Sequence, residues 1–183
     1  MIPVYYFKED LDIPANVACI GSFDGVHKGH QELIKRTIEL SDKNSLTPMA
    51  ITFDPDPAVV IGNSDHYGLT DLNRRIELFE RFGIKGVIVI PFDEYVMKLS
   101  IDDFKAKILD KLNNKILVCG FDFTYGFKGM GNTKTLIEQG VEISVVDECL
   151  YDGQKISSTR IRKELLNGNI ELANELLGYE YNK

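Results

Sequence analysis

Short apolar runs alternate along the chain with longer segments in which apolar residues recur every three or four positions, the pattern of a parallel β-sheet with helices on its faces. About five such units can be read. Residues 15–21, rich in small and β-branched side chains, predict a first strand, and residues 31–40 a helix carrying Leu33, Ile34, Ile38 and Leu40 toward one side. Residues 47–53 predict a second strand, closed by Pro55 and Pro57, which cannot continue a helix or a central strand. Residues 58–69 lose periodicity and predict a mobile excursion at one edge of the sheet, of the kind that often forms a lid. Thr70 is the expected N-cap of a helix over 71–82, striped by Leu72, Ile76, Leu78, Phe79 and Phe82 and stopped at Gly83. A strand at 86–91, a Ser100-capped helix over 101–112, a strand at 115–119, a short helix at 133–139, a strand at 141–146 and a helical tail over 158–177 complete the chain. No repeat or linker breaks it. The expected class is α/β: a Rossmann-like, doubly wound parallel sheet of about five strands with a helical C-terminal tail, in a single domain spanning 1–183.

Composition narrows the partners. Hydrophobic residues make up 44% and charged residues 27% of 183, which excludes a disordered or fibrous chain. The 28 acidic against 21 basic side chains leave a net charge of −7, so general nucleic-acid binding is not expected; a few converging cations and backbone amides still suffice for a small phosphorylated ligand. Cys19, Cys119 and Cys149 lie far apart without C-x-x-C spacing and read as reduced thiols. No run approaches the roughly 18 apolar residues of a membrane span, and the start, with Lys8, Glu9, Asp10 and Asp12, lacks the order of a signal peptide. No membrane partner and a cytoplasmic location are expected.

Ligands of open α/β sheets bind beyond the carboxyl ends of the strands, so the segments that follow strands are searched first. The first strand runs into Gly21-Ser22-Phe23-Asp24-Gly25-Val26-His27-Lys28-Gly29-His30. A helix starting near His27 would set both imidazoles on one side of its first turn, beside unpaired N–H groups that attract phosphate, and Gly29 leaves no side chain between them. A lone histidine here would be a solvated loop residue or a capping contact; the pair, with Gly21, Asp24 and Gly25, points to a site. The His-x-x-His spacing also suits zinc, but no third ligand recurs nearby and no glutamate lies between. A second cluster, Lys155-Ile156-Ser157-Ser158-Thr159-Arg160-Ile161-Arg162, joins helix-capping hydroxyls to guanidinium groups suited to phosphate, or is an ordinary cap followed by surface arginines. A third, residues 120–131, mixes aromatics with glycines, which face a planar ring or fill the core. It is neither a P-loop nor a dinucleotide fingerprint. His66, Asp93 and Glu94 read as solvated loop.

The first two clusters resemble the HxGH and ISSTxxR signatures of the nucleotidylyltransferase superfamily. Together with Thr52-Phe53-Asp54-Pro55, Gly120-x-Asp122-Phe123-x-Tyr125-Gly126 and Leu176-Leu177-Gly178-x-x-Tyr181, in the same order over essentially the whole chain, they look like the FMN adenylyltransferase module of bacterial FAD synthetases. The resemblance implies transfer of AMP from ATP to FMN, giving FAD and pyrophosphate with Mg²⁺ and without a covalent enzyme intermediate. It implies His27, His30 and Arg162 as catalytic residues, with His30 the main stabiliser of the α-phosphate. It implies Gly21, Ser22, Phe23, Asp24, Gly29, Ser157, Ser158 and Thr159 as further ATP-site residues, Ser158, Thr159 and Arg162 facing the leaving phosphates. Flavin is expected near Phe53, Asp54, Pro55, Asp56, Asp122, Phe123 and Tyr125. Two departures stand out: Asp56 occupies the place of the family's usual histidine between two prolines, and no riboflavin kinase barrel follows the Leu-Leu-Gly-x-x-Tyr stretch, so no kinase activity is expected. Two alternatives share the motifs: an adenylyltransferase with another phosphorylated acceptor, and a flavin- or nucleotide-binding regulatory protein without turnover.

Overall fold

The computed structural model describes residues 1–8, 11–62 and 67–182. Its central sheet has six parallel strands: β1 (Val4–Tyr6), β2 (Asn16–Ile20), β3 (Thr47–Asp54), β4 (Gly86–Pro91), β5 (Asn114–Gly120) and β8 (Ile143–Val146), in the order β1-β4-β3-β2-β5-β8. Five correspond to the expected strands. The sixth, β1, has three residues at the sheet edge, two half-buried and one exposed, too few to show a period in the sequence. Two short antiparallel ribbons, β6 (Thr124–Tyr125) with β7 (Gly131–Asn132) and β9 (Leu150–Tyr151) with β10 (Gln154–Lys155), also escaped the pattern.

Helices α1 (Lys28–Asn44), α2 (Pro57–Val60), α3 (Leu72–Arg81), α4 (Glu94–Met97), α5 (Ile101–Lys107), α6 (Thr133–Glu138), α7 (Ser158–Leu166) and α8 (Ile170–Leu177) cover both faces. All five residues of β2 are buried, and alternation sends Val17 and Cys19 to one core and Ala18 and Ile20 to the other. Leu33, Ile34, Leu78, Phe79, Ile161 and Leu176 close the first core from α1, α3, α7 and α8. Val96, Phe104 and Leu136 close the second from α4, α5 and α6. The doubly wound α/β class is what the periodicity required.

Four local expectations change, the first being the helix expected over 101–112, which closes at Lys107 and is followed by a 3-10 turn at Leu109–Lys111. Asp71, not Thr70, caps α3 by accepting from the Arg74 N–H at 2.7 Å; the Thr70 hydroxyl instead accepts from Gly25 N at 2.9 Å. The helical tail is two helices, because the chain turns through Gly168 at φ 78°. Of the excursion over 58–69, residues 63–66 lie outside the described residues; the rest begins as the helical turn α2 and ends on Leu69, which is buried and bonded through its N–H to Asp24. His66 lies outside the described residues.

Candidate active site

Strand β2 emerges into a turn whose backbone takes positive φ at Phe23 (56°), Gly25 (79°) and Val26 (36°) before α1 begins. A Cβ on Gly25 would stand 2.8 Å from Leu69, so the turn needs glycine for space as well as for angle. The bend swings Phe23 inward, fully buried, with its ring 5.1 Å from those of both His30 and Phe79. His27 is the N-cap of α1: its Nδ1 accepts from His30 N at 3.3 Å. The two imidazoles stack, centroids 3.7 Å apart and planes 14° from parallel. A Cβ on Gly29 would come within 3.1 Å of the His27 ring, so a side chain there would push the stack apart.

Burial first, and the Lys155 charge second, bring His27 down to about 4. His30 lies well below the ordinary histidine range through burial, then through His27 and Lys155. Both rings are therefore neutral near pH 7. The Nδ1 of His30 is buried with no hydrogen-bond partner among the described residues, at a cost of about 1–3 kcal/mol.

The late cluster arrives at the same place. Ribbon β9–β10 leads into buried Ile156, tied back by its N–H to Cys149 O at 2.9 Å. Ser157 caps α7 by accepting from Arg160 N at 3.2 Å. Ser158 Oγ donates to Asp24 O at 2.8 Å, and Arg162 Nη1 donates to Asp24 Oδ2 at 2.6 Å. The other Asp24 oxygen accepts from Leu69 N (2.7 Å) and Thr70 N (3.1 Å). Burial pushes the Asp24 carboxyl up, against the Thr70 N–H and Arg162. Arg160 points elsewhere: its Nη1 donates to Tyr151 O and Gln154 O, bracing the ribbon.

Between the two clusters lies a cavity of about 440 Å³ at the carboxyl ends of β2 and β5, where the order of the strands reverses. Of the expected ATP-site residues, Gly21, Ser22, Asp24, His27, Gly29, His30, Ser157, Ser158, Thr159 and Arg162 line it. Phe23 does not; it supports His30 from the core. The flavin set divides. Asp56, Asp122 and Phe123 line the same cavity, whereas Phe53 and Tyr125 line a separate hollow of about 160 Å³ with Pro57, Phe92 and Phe104. Asp54 and Pro55 line neither. Asp56 has a structural task as the cap of α2, accepting from Ala58 N at 2.8 Å.

Two residues without an assigned role in the sequence reading belong to the site. Lys155 enters the cavity, pairs with Asp122 and lies 4.9 Å over the Phe121 ring. Arg75, 3% exposed, does not line the cavity but donates to the carbonyl of Ser22, which does. Its signal was present: it sits three positions after Leu72 on the buried face of α3, where an apolar residue is the rule. Among the described residues no group of three or more His, Cys, Asp or Glu side chains is arranged to hold a metal ion. Among those residues, zinc on the histidine pair would lack a third protein ligand.

The family profile for FAD synthetase matches residues 11–160. A Bacillus subtilis protein named bifunctional riboflavin kinase/FMN adenylyltransferase is 36% identical over 98% of this chain and 58% of its own length. The chain spans a little over half the length of several relatives with that name. A Streptococcus pneumoniae crystal structure described as a macrolide-efflux protein superposes with a TM-score of 0.87 at 29% identity, covering 99% of this chain and 72% of that one. Pantoate-β-alanine ligase from Francisella tularensis, at 16% identity and a TM-score of 0.58 over 90% of this chain and 70% of its own, shares the fold.

Proposed function

This chain belongs to the FAD synthetase family, and on that premise we propose that it is an FMN adenylyltransferase. An FMN phosphate oxygen attacks the α-phosphorus of ATP; a new P–O bond forms, the bond to the β-phosphate oxygen breaks, and pyrophosphate leaves with the electron pair. The nucleophile is already ionised near neutral pH, so the enzyme's work is to bring two anions together and to stabilise charge on the α- and leaving phosphates. The single observation that carries this reading is the convergence on one cavity of the His27–His30 turn and the Ser157–Arg162 helix start.

In this reading His30 donates to the α-phosphate and Ser158, Thr159 and Arg162 hold the β- and γ-phosphates. Phe23, behind the His30 ring, acts from the core rather than by contact with ATP. Two helix N-termini, of α1 and α7, face the same cavity, and their partial positive charge offsets an otherwise acidic lining. ATP enters as its Mg²⁺ complex. The phosphates would supply oxygen ligands; Asp56, Asp147 and Glu148 also line the cavity, but among the described residues no three carboxylates are grouped to hold an ion by themselves. The isoalloxazine ring takes the aromatic hollow of Phe53 and Tyr125, with Asp122 and Phe123 toward the phosphate end. Residues 1–183 act as one nucleotidylyltransferase domain, in the cytoplasm.

Incubation with Mg²⁺-ATP and either FMN or riboflavin, followed by chromatography, tests this. FAD and pyrophosphate are expected from FMN, and no flavin product from riboflavin. Absence of FAD, or adenylylation of a different phosphorylated acceptor in preference to FMN, would overturn the assignment.

A further inference from the structure

The parallel ladder between β2 and β3 ends early. Its last register pair is Ile20 with Ile51, followed by a hydrogen bond from Gly21 N to Ile51 O at 3.1 Å. Beyond that point β2 turns off into the phosphate turn, while β3 runs on beside β4 as far as Asp54 and the Pro55-Asp56 turn. Arg75 spans the gap from below. Its Nη1 is shared among Ser22 O (2.9 Å), Phe53 O (2.9 Å) and Thr52 Oγ1 (2.8 Å), and its Nη2 lies 3.5 Å from Asp54 Oδ1. The Thr52 hydroxyl donates to Ser22 O at 3.1 Å and closes the network. The helix that carries Arg75 is itself anchored to the phosphate turn, through Leu69 N and Thr70 N on Asp24.

A buried guanidinium is a poor device for stability alone. A leucine or methionine at that point of the α3 stripe would fill the space without the cost of desolvating a charge. What an apolar side chain cannot do is bond the carbonyls of two diverging strand ends at once and hold them at one separation; a planar, multi-donor cation can. Ser22 borders the ATP half of the cavity, and residues 53–56, the end of β3 and the turn after it, run between that cavity and the aromatic hollow. Resting on the FAD-forming reading, we infer that Arg75 is a positioning residue: it fixes the distance between the turn that binds ATP and the loop that binds flavin, and so the approach of the FMN phosphate to the α-phosphorus.

This role has a signature different from that of a fold support. Each half-site is left intact when Arg75 is changed, so each substrate should still bind; only their mutual placement suffers, and a misplacement of about 1 Å costs on the order of 10²-fold in rate. For Arg75→Gln, kcat is expected to fall roughly 100-fold while the separate dissociation constants of Mg²⁺-ATP and FMN stay within about threefold. Arg75→Lys, which keeps the charge but not the fork, should recover about tenfold of that loss. Thr52→Val, nearly the same shape without the bridging hydroxyl, should lose about fivefold in kcat alone. Thermal melts fix the folded fraction used in each rate. A kcat within about twofold of the parent in the folded variants, or a loss confined to the affinity for one substrate, overturns the inference. Should Arg75→Gln not fold, Arg75→Lys and Thr52→Val decide by the same criteria. A parent chain that makes no FAD overturns the proposed function together with this inference; a parent that makes FAD beside unaffected variants overturns this inference alone.

Discussion

His30 and Asp24 show how differently two polar residues of one turn serve the site. His30 presents a neutral ring with an unpartnered buried nitrogen, whereas both Asp24 oxygens are already occupied by Arg162 and two backbone amides. If the proposed function holds, His30→Ala removes a donor to the charge that develops on the α-phosphate in the transition state. Turnover should fall by about 10²–10³ with FMN affinity unchanged; steady-state kinetics and flavin fluorescence titration check this, and an equal loss of both would count against the role. Asp24→Asn keeps an oxygen for the Leu69 and Thr70 amides but releases the Arg162 guanidinium. The apparent KM for ATP should rise on the order of tenfold with a smaller change in kcat, and an unchanged KM would argue that Arg162 needs no such anchor. At this scale the histidine pair was legible because its residues are contiguous and chemically unusual together. Arg75 was not read, although its place on the apolar stripe of α3 signalled burial; which groups it bonds depends on neighbours in space.

Among the elements, the N-termini decide most. Helices α1, α3 and α7 begin with His27, Asp71 and Ser157, each side chain accepting from the backbone N–H three residues on. Two of these caps border the cavity and the third does not. Asp71→Ala should therefore cost about 1 kcal/mol and lower the melting temperature by roughly 2–4 °C, with kcat and both KM values unchanged. Calorimetry beside a rate assay checks it; a rate loss larger than the stability loss explains would mean that α3 transmits strain to the mouth. Element type was legible wherever the apolar period ran long, as in α1, α3 and the buried strands. Edges and boundaries were not: β1 is too short to show a period, and the choice between Thr70 and Asp71 as the cap depends on Thr70 being engaged by Gly25, 45 residues away.

For the molecule as a whole, acid should be the informative stress. His27 is brought to about 4 in the folded chain against an ordinary 6.5, so between those values the unfolded chain binds more protons. Stability is therefore full above about pH 6.5, falls as the pH drops toward 4, and falls by about 3 kcal/mol from this group. His30 adds to the slope in the same direction, while Asp24, raised by burial, offsets part of it just above its ordinary range. Melting curves between pH 4.5 and 7.5 should show the decline, and His27→Asn, which retains a capping side chain, should flatten it. An unchanged slope in that variant would assign the acid sensitivity to other groups.

The linear order of residues was enough to establish the layered α/β class, the succession of its main elements and the two clusters that meet at the cavity, because hydrophobic period and local motif are short-range properties of a chain. The division of the flavin set between a polar cavity and an aromatic hollow, the engagement of Arg162 by Asp24, the inward turn of Phe23 and the brace at Arg75 were settled only in three dimensions. Each depends on contacts between segments brought together by strand order, and a buried charge or ring finds its partner by proximity in the folded core rather than along the chain.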